Sequence, residues 1–201
     1  YKSGAVLVLN HHIETDVIAT RGKAYGVEFL IKKLTGKLNG WISYTWSRIL
    51  LKQDDPLAGE LINNGLYYPA NYDKPHDVTM IGNYRVTHRF SVSLNATYST
   101  GRPITLPIGR FYYAGSTRTL YANRNAYRIP DYFLTDFSVN IDGKHKVKQL
   151  THNSWTVGVY NFTAQKNAYS VYFVSQSGTI KAYKLSIFGT AIPFITYNIR
   201  F

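Results

Sequence analysis

The chain has 201 residues, a formal net charge of +12 and no cysteine, with 18 Tyr, 10 Phe and 3 Trp. No stretch of about 18 apolar residues occurs, which excludes a transmembrane helix. Without cysteine there is neither a disulfide framework nor a thiolate metal site. The charge points to nucleic acid, anionic lipid or an acidic ligand. Nucleic acid is disfavoured because Lys and Arg fall in turns and loops rather than along one stripe.

In chain order, Ala5–Leu9 is a short apolar run that reads as a first strand, and His11–His12 falls in a loop. Tyr25, Val27, Phe29 and Ile31 then alternate with Gly26, Glu28 and Leu30, and Lys32–Lys37 makes a tight turn. Leu38, Gly40, Ile42, Tyr44 and Trp46 alternate with Asn39, Trp41, Ser43, Thr45 and Ser47, and a long connection runs from Arg48 to His76. The next strand covers Val78–Val86 and turns through Thr87-His88-Arg89 into the clearest one. There Phe90, Val92, Leu94, Ala96 and Tyr98 alternate with Ser91, Ser93, Asn95, Thr97 and Ser99. A second long connection, Gly101–Pro130, precedes the alternation Phe133–Ile141. A turn holding Lys144, Lys146 and Lys148 leads to Trp155, Val157 and Val159. A third long connection, 161–191, leads to Ile195, Tyr197, Ile199 and Phe201.

One face of each strand is large and apolar, and the other is small and polar. This inverts ordinary packing and marks a transmembrane β-barrel with a wet interior. Mean hydropathy is only −0.21, as expected when half of each strand faces water. The connections alternate short and long, as the periplasmic turns and extracellular loops of outer-membrane barrels do; a soluble sandwich has no need of that parity. Trp46, Tyr84, Phe90, Tyr98, Trp155 and Phe201 sit near strand ends, where amphipathic rings line membrane interfaces. Basic residues occupy the short turns (Lys37, Arg89, Lys144, Lys146, Lys148), which reads equally as anchoring to anionic head groups or as plain solubility.

The stretches Gly22–Leu30 and Gly40–Arg48 resemble late barrel strands of TonB-dependent outer-membrane receptors. So do Tyr68-Pro-Ala-Asn-Tyr-Asp-Lys-Pro-His-Asp77, Val159–Thr163 with Asn167–Tyr169, and the ending Ile195–Phe201. The nearest likeness is to Bacteroidetes receptors that carry a carboxypeptidase-regulatory-like domain and a plug. The resemblance implies an all-β, antiparallel transmembrane barrel of about 22 strands filled by a plug. Residues 1–201 would supply about eight C-terminal strands, with the plug and the N-terminal strands outside the chain. It further implies active import of a nutrient ligand across the outer membrane of a Gram-negative bacterium. The expected partners are the remaining N-terminal barrel and plug polypeptide, the TonB system acting through that plug, outer-membrane lipid and lipopolysaccharide, and a surface lipoprotein. The competing reading is a small eight-stranded barrel that serves as a structural or interaction module without transport.

The sequence holds no nucleophile elbow, P-loop or dinucleotide fingerprint. No catalytic residue, metal site or cofactor is assigned, and the chain is not read as an enzyme. Glu28 and Asp136 lie mid-strand on polar faces and read as partners of a plug or wall. Segment 101–130 contains Arg102, Arg110, Arg118, Arg124 and Arg128, four interleaved tyrosines and no acid. Arg pairs with phosphate or carboxylate, and Tyr stacks on flat groups. The ligand-binding candidates are therefore Arg110, Tyr112, Tyr113, Arg118, Tyr121 and Arg124; a solvated loop with packed tyrosines explains the same composition. Pro69 and Pro75 stiffen the chain's re-entry near Asp73, Lys74, His76 and Asp77. Tyr197, Ile199 and Phe201 form a terminal alternation that resembles the signal read by the barrel-assembly machinery.

Overall fold

The structure is a computed structural model that describes residues 17–55, 61–143, 152–176 and 179–200. The strand expected at Ala5–Leu9, the His11–His12 pair, Lys144, Lys146 and Lys148, and Phe201 lie outside the described residues. The described elements are β1 (Thr20–Lys33), β2 (Leu38–Gln53), a 3-10 turn (Ile62–Gly65), β3 (Tyr68–Pro69), β4 (His76–Arg85), β5 (Phe90–Ser99), β6 (Pro103–Ile104), β7 (Pro107–Tyr113), β8 (Ser116–Tyr121), β9 (Tyr127–Arg128), β10 (Tyr132–Asp142), β11 (His152–Tyr160), β12 (Ser170–Gln176), β13 (Thr179–Leu185) and β14 (Ile192–Arg200). The protein is all-β, and every pairing is antiparallel.

Seven strands join in sequence order into one sheet, β1-β2-β4-β5-β10-β11-β14, with β3 beside the far end of β2. These are the seven alternating segments of the sequence. One boundary differs for a physical reason. β2 continues past Ser47 to Gln53 because its residues Arg48–Gln53 pair with Thr20–Tyr25. The run Ile49-Leu50-Leu51 is apolar at both parities, so it hides the alternation. The long connections also hold two hairpins that read as loop, β7–β8 and β12–β13. The first turns through Ala114 and Gly115, at φ +50° and +80°, the left-handed pair that a tight two-residue hairpin requires.

Register carries the two-faced pattern across the whole sheet. One row runs Phe29, Tyr44, Val78, Tyr98, Phe133, and another Leu38, Tyr84, Val92, Val139, Val157, Ile195. On the opposite face, Asn39, Asn83, Ser93 and Ser138 share a row. There Ser93 Oγ donates to Asn83 Oδ1 at 2.7 Å, and Asn83 Nδ2 donates to Asn39 Oδ1 at 3.3 Å. Thr156 Oγ1 donates to Asn140 Oδ1 at 3.0 Å on the same side. Because side chains alternate with period two, a one-residue slip anywhere would turn every apolar side chain of that strand onto the polar face.

The apolar band also drifts. Leu38 begins β2 beside the Leu34–Lys37 turn, yet its row ends on Ile195, near the loop end of β14. The shift is roughly 1–1.5 residues per strand, which at ~3.3 Å rise and ~4.8 Å strand spacing is a tilt of roughly 35–45° between strand and band normal.

The large apolar residues do not form a core. Phe29 is 60% exposed, Ile31 72% and Ile195 66%. Among the described residues, the buried apolar side chains are Ile18, Tyr68, Ala70 and Ile129, and buried polar ones outnumber them: Gln53, Asp73, Ser99, Asn125, Thr135 and Asn161. Strand contacts are lateral, and among the described residues no element is layered on the apolar face. Among the described residues, β1 pairs only with β2 and β14 only with β11, so the sheet is open at both edges.

Candidate functional site at the loop end

Among the described residues, most of the buried side chains are polar, and they lie where the long connections meet the sheet. Asp73 is fully buried. Its Oδ1 accepts the Ile49 N–H at 2.6 Å and Arg48 Nε at 3.3 Å, and its Oδ2 accepts Arg128 Nη2. Arg128 Nη1 also donates to the carbonyls of Asp73 at 2.7 Å and Gly101 at 2.9 Å. One carboxylate therefore ties the end of β2 to the first and second connections. Pro69 and Pro75 flank this point, and Ala70 N–H donates to Ile49 O at 2.9 Å.

Asn125 extends the cluster. Its Nδ2 donates to Pro69 O at 2.7 Å and to Asn71 Oδ1 at 2.8 Å, and its N–H donates to Thr105 Oγ1 at 3.0 Å. Asn63 and Arg124 exchange two bonds, with Asn63 Nδ2 donating to Arg124 O and the Arg124 N–H donating to Asn63 Oδ1. The second connection is pinched at its base, where β6 pairs with β9. A Cβ on Gly101 would stand 1.8 Å from Ile129 O, so only glycine lets the two limbs approach this closely. Beside it, Asp131 accepts the Tyr98 hydroxyl at 2.6 Å and the Gly101 N–H at 2.9 Å. The Tyr98 hydrogen bond first, and then that of Gly101, hold the Asp131 carboxyl below its usual range.

The third connection is fixed by side-chain amides in the same way. Asn167 Oδ1 accepts the Phe133 N–H at 2.9 Å and its Nδ2 donates to Phe133 O at 2.8 Å, so the amide stands in for a neighbouring strand. Buried Asn161 donates its N–H to Asp136 Oδ1 and its Nδ2 to Phe188 O. Asp136, on the polar face, thus satisfies a backbone group of the third connection with one of its oxygens. Satisfied buried polar groups of this kind fix loops in one conformation.

These anchored connections frame a cleft of about 410 Å³ on the polar side of the sheet, lined in part by Lys74, Asp77, Ser99, Arg102, Tyr132 and Tyr169. Among the described residues, the side chains of Lys74, Asp77 and Arg102 make no ion pair. Two cations, one carboxylate, hydroxyls and two phenol rings suit a polar ligand with an anionic group.

The six candidates from the sequence are not brought together. Arg110 and Tyr112 share one face of the β7–β8 hairpin with Tyr121, and Tyr113 and Arg118 take the other, where the Arg118 guanidinium lies 5.3 Å from the Tyr113 ring centre. Arg124 lies at the hairpin's foot, its backbone held by Asn63. None of the six lines the Lys74–Asp77–Arg102 cleft. Arg110 lines a separate crevice of about 550 Å³ between the two hairpins, with Leu106, Ile108, Phe173 and Ile180. The sequence reading missed the pairing of Asp73 with Arg128. The signal was an Asp in a Tyr- and Pro-rich stretch of the first connection and five arginines without an acid in the second. Among the described residues no three His, Asp or Glu side chains gather as metal ligands. Tyr197 and Ile199 lie on the apolar face of β14, in rows with Trp155 and Asn153.

Compared with protein-family models, curated proteins and solved structures, the chain matches none.

Proposed function

We propose that this chain is part of the wall of a TonB-dependent transporter barrel in the outer membrane of a Gram-negative bacterium. The observation that carries the reading is the register. It holds an exposed apolar face and a hydrogen-bonded polar face coherent over seven strands. In water an uncovered apolar face of this extent is untenable for a stable monomer; in a bilayer it is the required surface. The drift of the band supports the same reading, because membrane barrels tilt their strands by about 35–45°. Aromatic pairs at both ends of the band, Tyr25–Trp46 at 5.9 Å and Trp155–Tyr197 at 4.5 Å, suit two interfaces.

An open edge in hydrocarbon leaves backbone groups that nothing satisfies. Further strands must therefore join β1 and β14, and the expected plug fills the polar interior. This chain then supplies wall, rim and loops. A ligand is caught at the loop end, in the Lys74–Asp77–Arg102 cleft, and energy arrives through the plug from TonB.

The test uses the full-length protein in outer membranes. The periplasmic domain of TonB should co-purify with the protein, and residues 1–201 alone should not refold in detergent as a closed, heat-resistant barrel. Such a barrel from residues 1–201 alone, with no TonB captured by the full-length protein, would overturn the transporter reading in favour of a small closed barrel.

A further inference from the structure

The outward face of β1 and β2 changes character just beyond the loop-end edge of the apolar band. Tyr25 and Trp46 close that band. Past them the outward positions are Arg48, held by Asp73, then Lys23 beside Leu50, then Arg21 beside Lys52. Lys23 lies two residues, about 6–7 Å, beyond Tyr25 along the strand. Its ammonium stands 4.0 Å from the centre of the Tyr67 ring, and the Lys52 ammonium stands 5.8 Å from the same centre. The two ammonium groups are thus within about 10 Å of each other.

Each is attracted to the ring face, but the two repel one another. Asp54, the carboxylate just after β2, is engaged by Arg21 at 3.0 Å. Among the described residues, neither lysine has a carboxylate partner. The arrangement is an un-neutralised pair of point charges around an exposed phenol, at the depth where lipid head groups begin in the reading given above. A phosphate can accept from both ammonium groups and from the Tyr67 hydroxyl.

We propose that Lys23, Lys52 and Tyr67 seat a phosphate group on the head group of an outer-leaflet glycolipid. This fastens the β1–β2 edge to the membrane surface. The proposal rests on the membrane reading, and the experiment separates the two. The full-length protein, carrying the photo-reactive p-benzoylphenylalanine at exposed Leu66, is placed in phosphatidylcholine bicelles containing diphosphorylated lipid A, and the adduct is weighed. Replacing lysine with glutamine (Lys23→Gln, Lys52→Gln) should lower the lipid A adduct about five-fold per lysine. Dephosphorylated lipid A should give the same low yield, and millimolar inorganic phosphate should not compete. Equal yields across variants or between the two lipids would overturn the proposal. Full competition by inorganic phosphate would overturn it in favour of a free-anion site. The same photo-label at Phe29, inside the band, should capture phosphatidylcholine in every variant. If it captures none, the membrane reading itself fails; if only the lysine dependence is missing, the glycolipid seat alone fails.

Discussion

Leu94→Arg is expected to cost the folded protein about 2–4 kcal/mol in a bilayer, the range for a cation on the lipid face at mid-depth. Leu94 is the middle residue of the apolar run Phe90–Tyr98 on β5, with Gly82 and Phe137 as its register partners. Its outward side has no layer upon it. The neighbouring change, Asn95→Arg, places the same charge on the polar face between Ile81 and Asp136 and should cost less than about 1 kcal/mol. Equilibrium unfolding of the full-length protein in lipid vesicles measures both. Equal destabilisation would mean that both faces are dry, as in a sandwich, and would refute the assignment of faces.

Asp73→Ala is expected to release the loop end while leaving the sheet in place. The fully buried carboxylate serves Ile49, Arg48 and Arg128 together. Breaking a buried ion pair by removing one partner costs about 3–5 kcal/mol. The two arginine side chains are 32% and 27% exposed, so water recovers part of their charge and the expected cost falls to about 2–3 kcal/mol. Arg128→Ala should cost less, because Asp73 keeps Arg48 and the Ile49 N–H. Limited trypsin digestion should cut the variant Asp73→Ala faster within 101–130, at Arg110, Arg118 or Arg124, while strand amides of β5 and β10 keep their exchange protection. Unchanged cutting would show that the cluster does not hold the second connection.

The seven strands of the sheet were legible because each repeats a strict period of two, and register then follows from keeping one face apolar. Antiparallel order followed from short turns such as Leu34–Lys37 and Val86–Arg89, the latter closed by Thr87 Oγ1 accepting from the Arg89 and Phe90 N–H groups. The end of β2 was not legible, since Ile49, Leu50 and Leu51 are apolar at both parities. The hairpins β7–β8 and β12–β13 were missed because arginine and tyrosine composition suggested loop, although Ala114-Gly115 carried the turn signal. The loop-end site was only partly legible. Composition marked 101–130 as basic and aromatic, but it could not say that Arg128 turns inward to Asp73 while Arg110 and Arg118 take opposite faces of a hairpin. That outcome depends on contacts between residues some 55 positions apart, and local pattern does not encode them.

The central claim is that the apolar face of the sheet meets lipid and the other face meets water. Single cysteines at Val92, Ser93, Leu94 and Asn95 in the full-length protein, in native outer membranes, test it most directly by their rate of reaction with a small water-soluble maleimide. The account predicts slow labelling at 92 and 94, where a lipid-soluble maleimide reacts instead, and faster aqueous labelling at 93 and 95. Fast aqueous labelling at 92 and 94 with protection at 93 and 95 would contradict it.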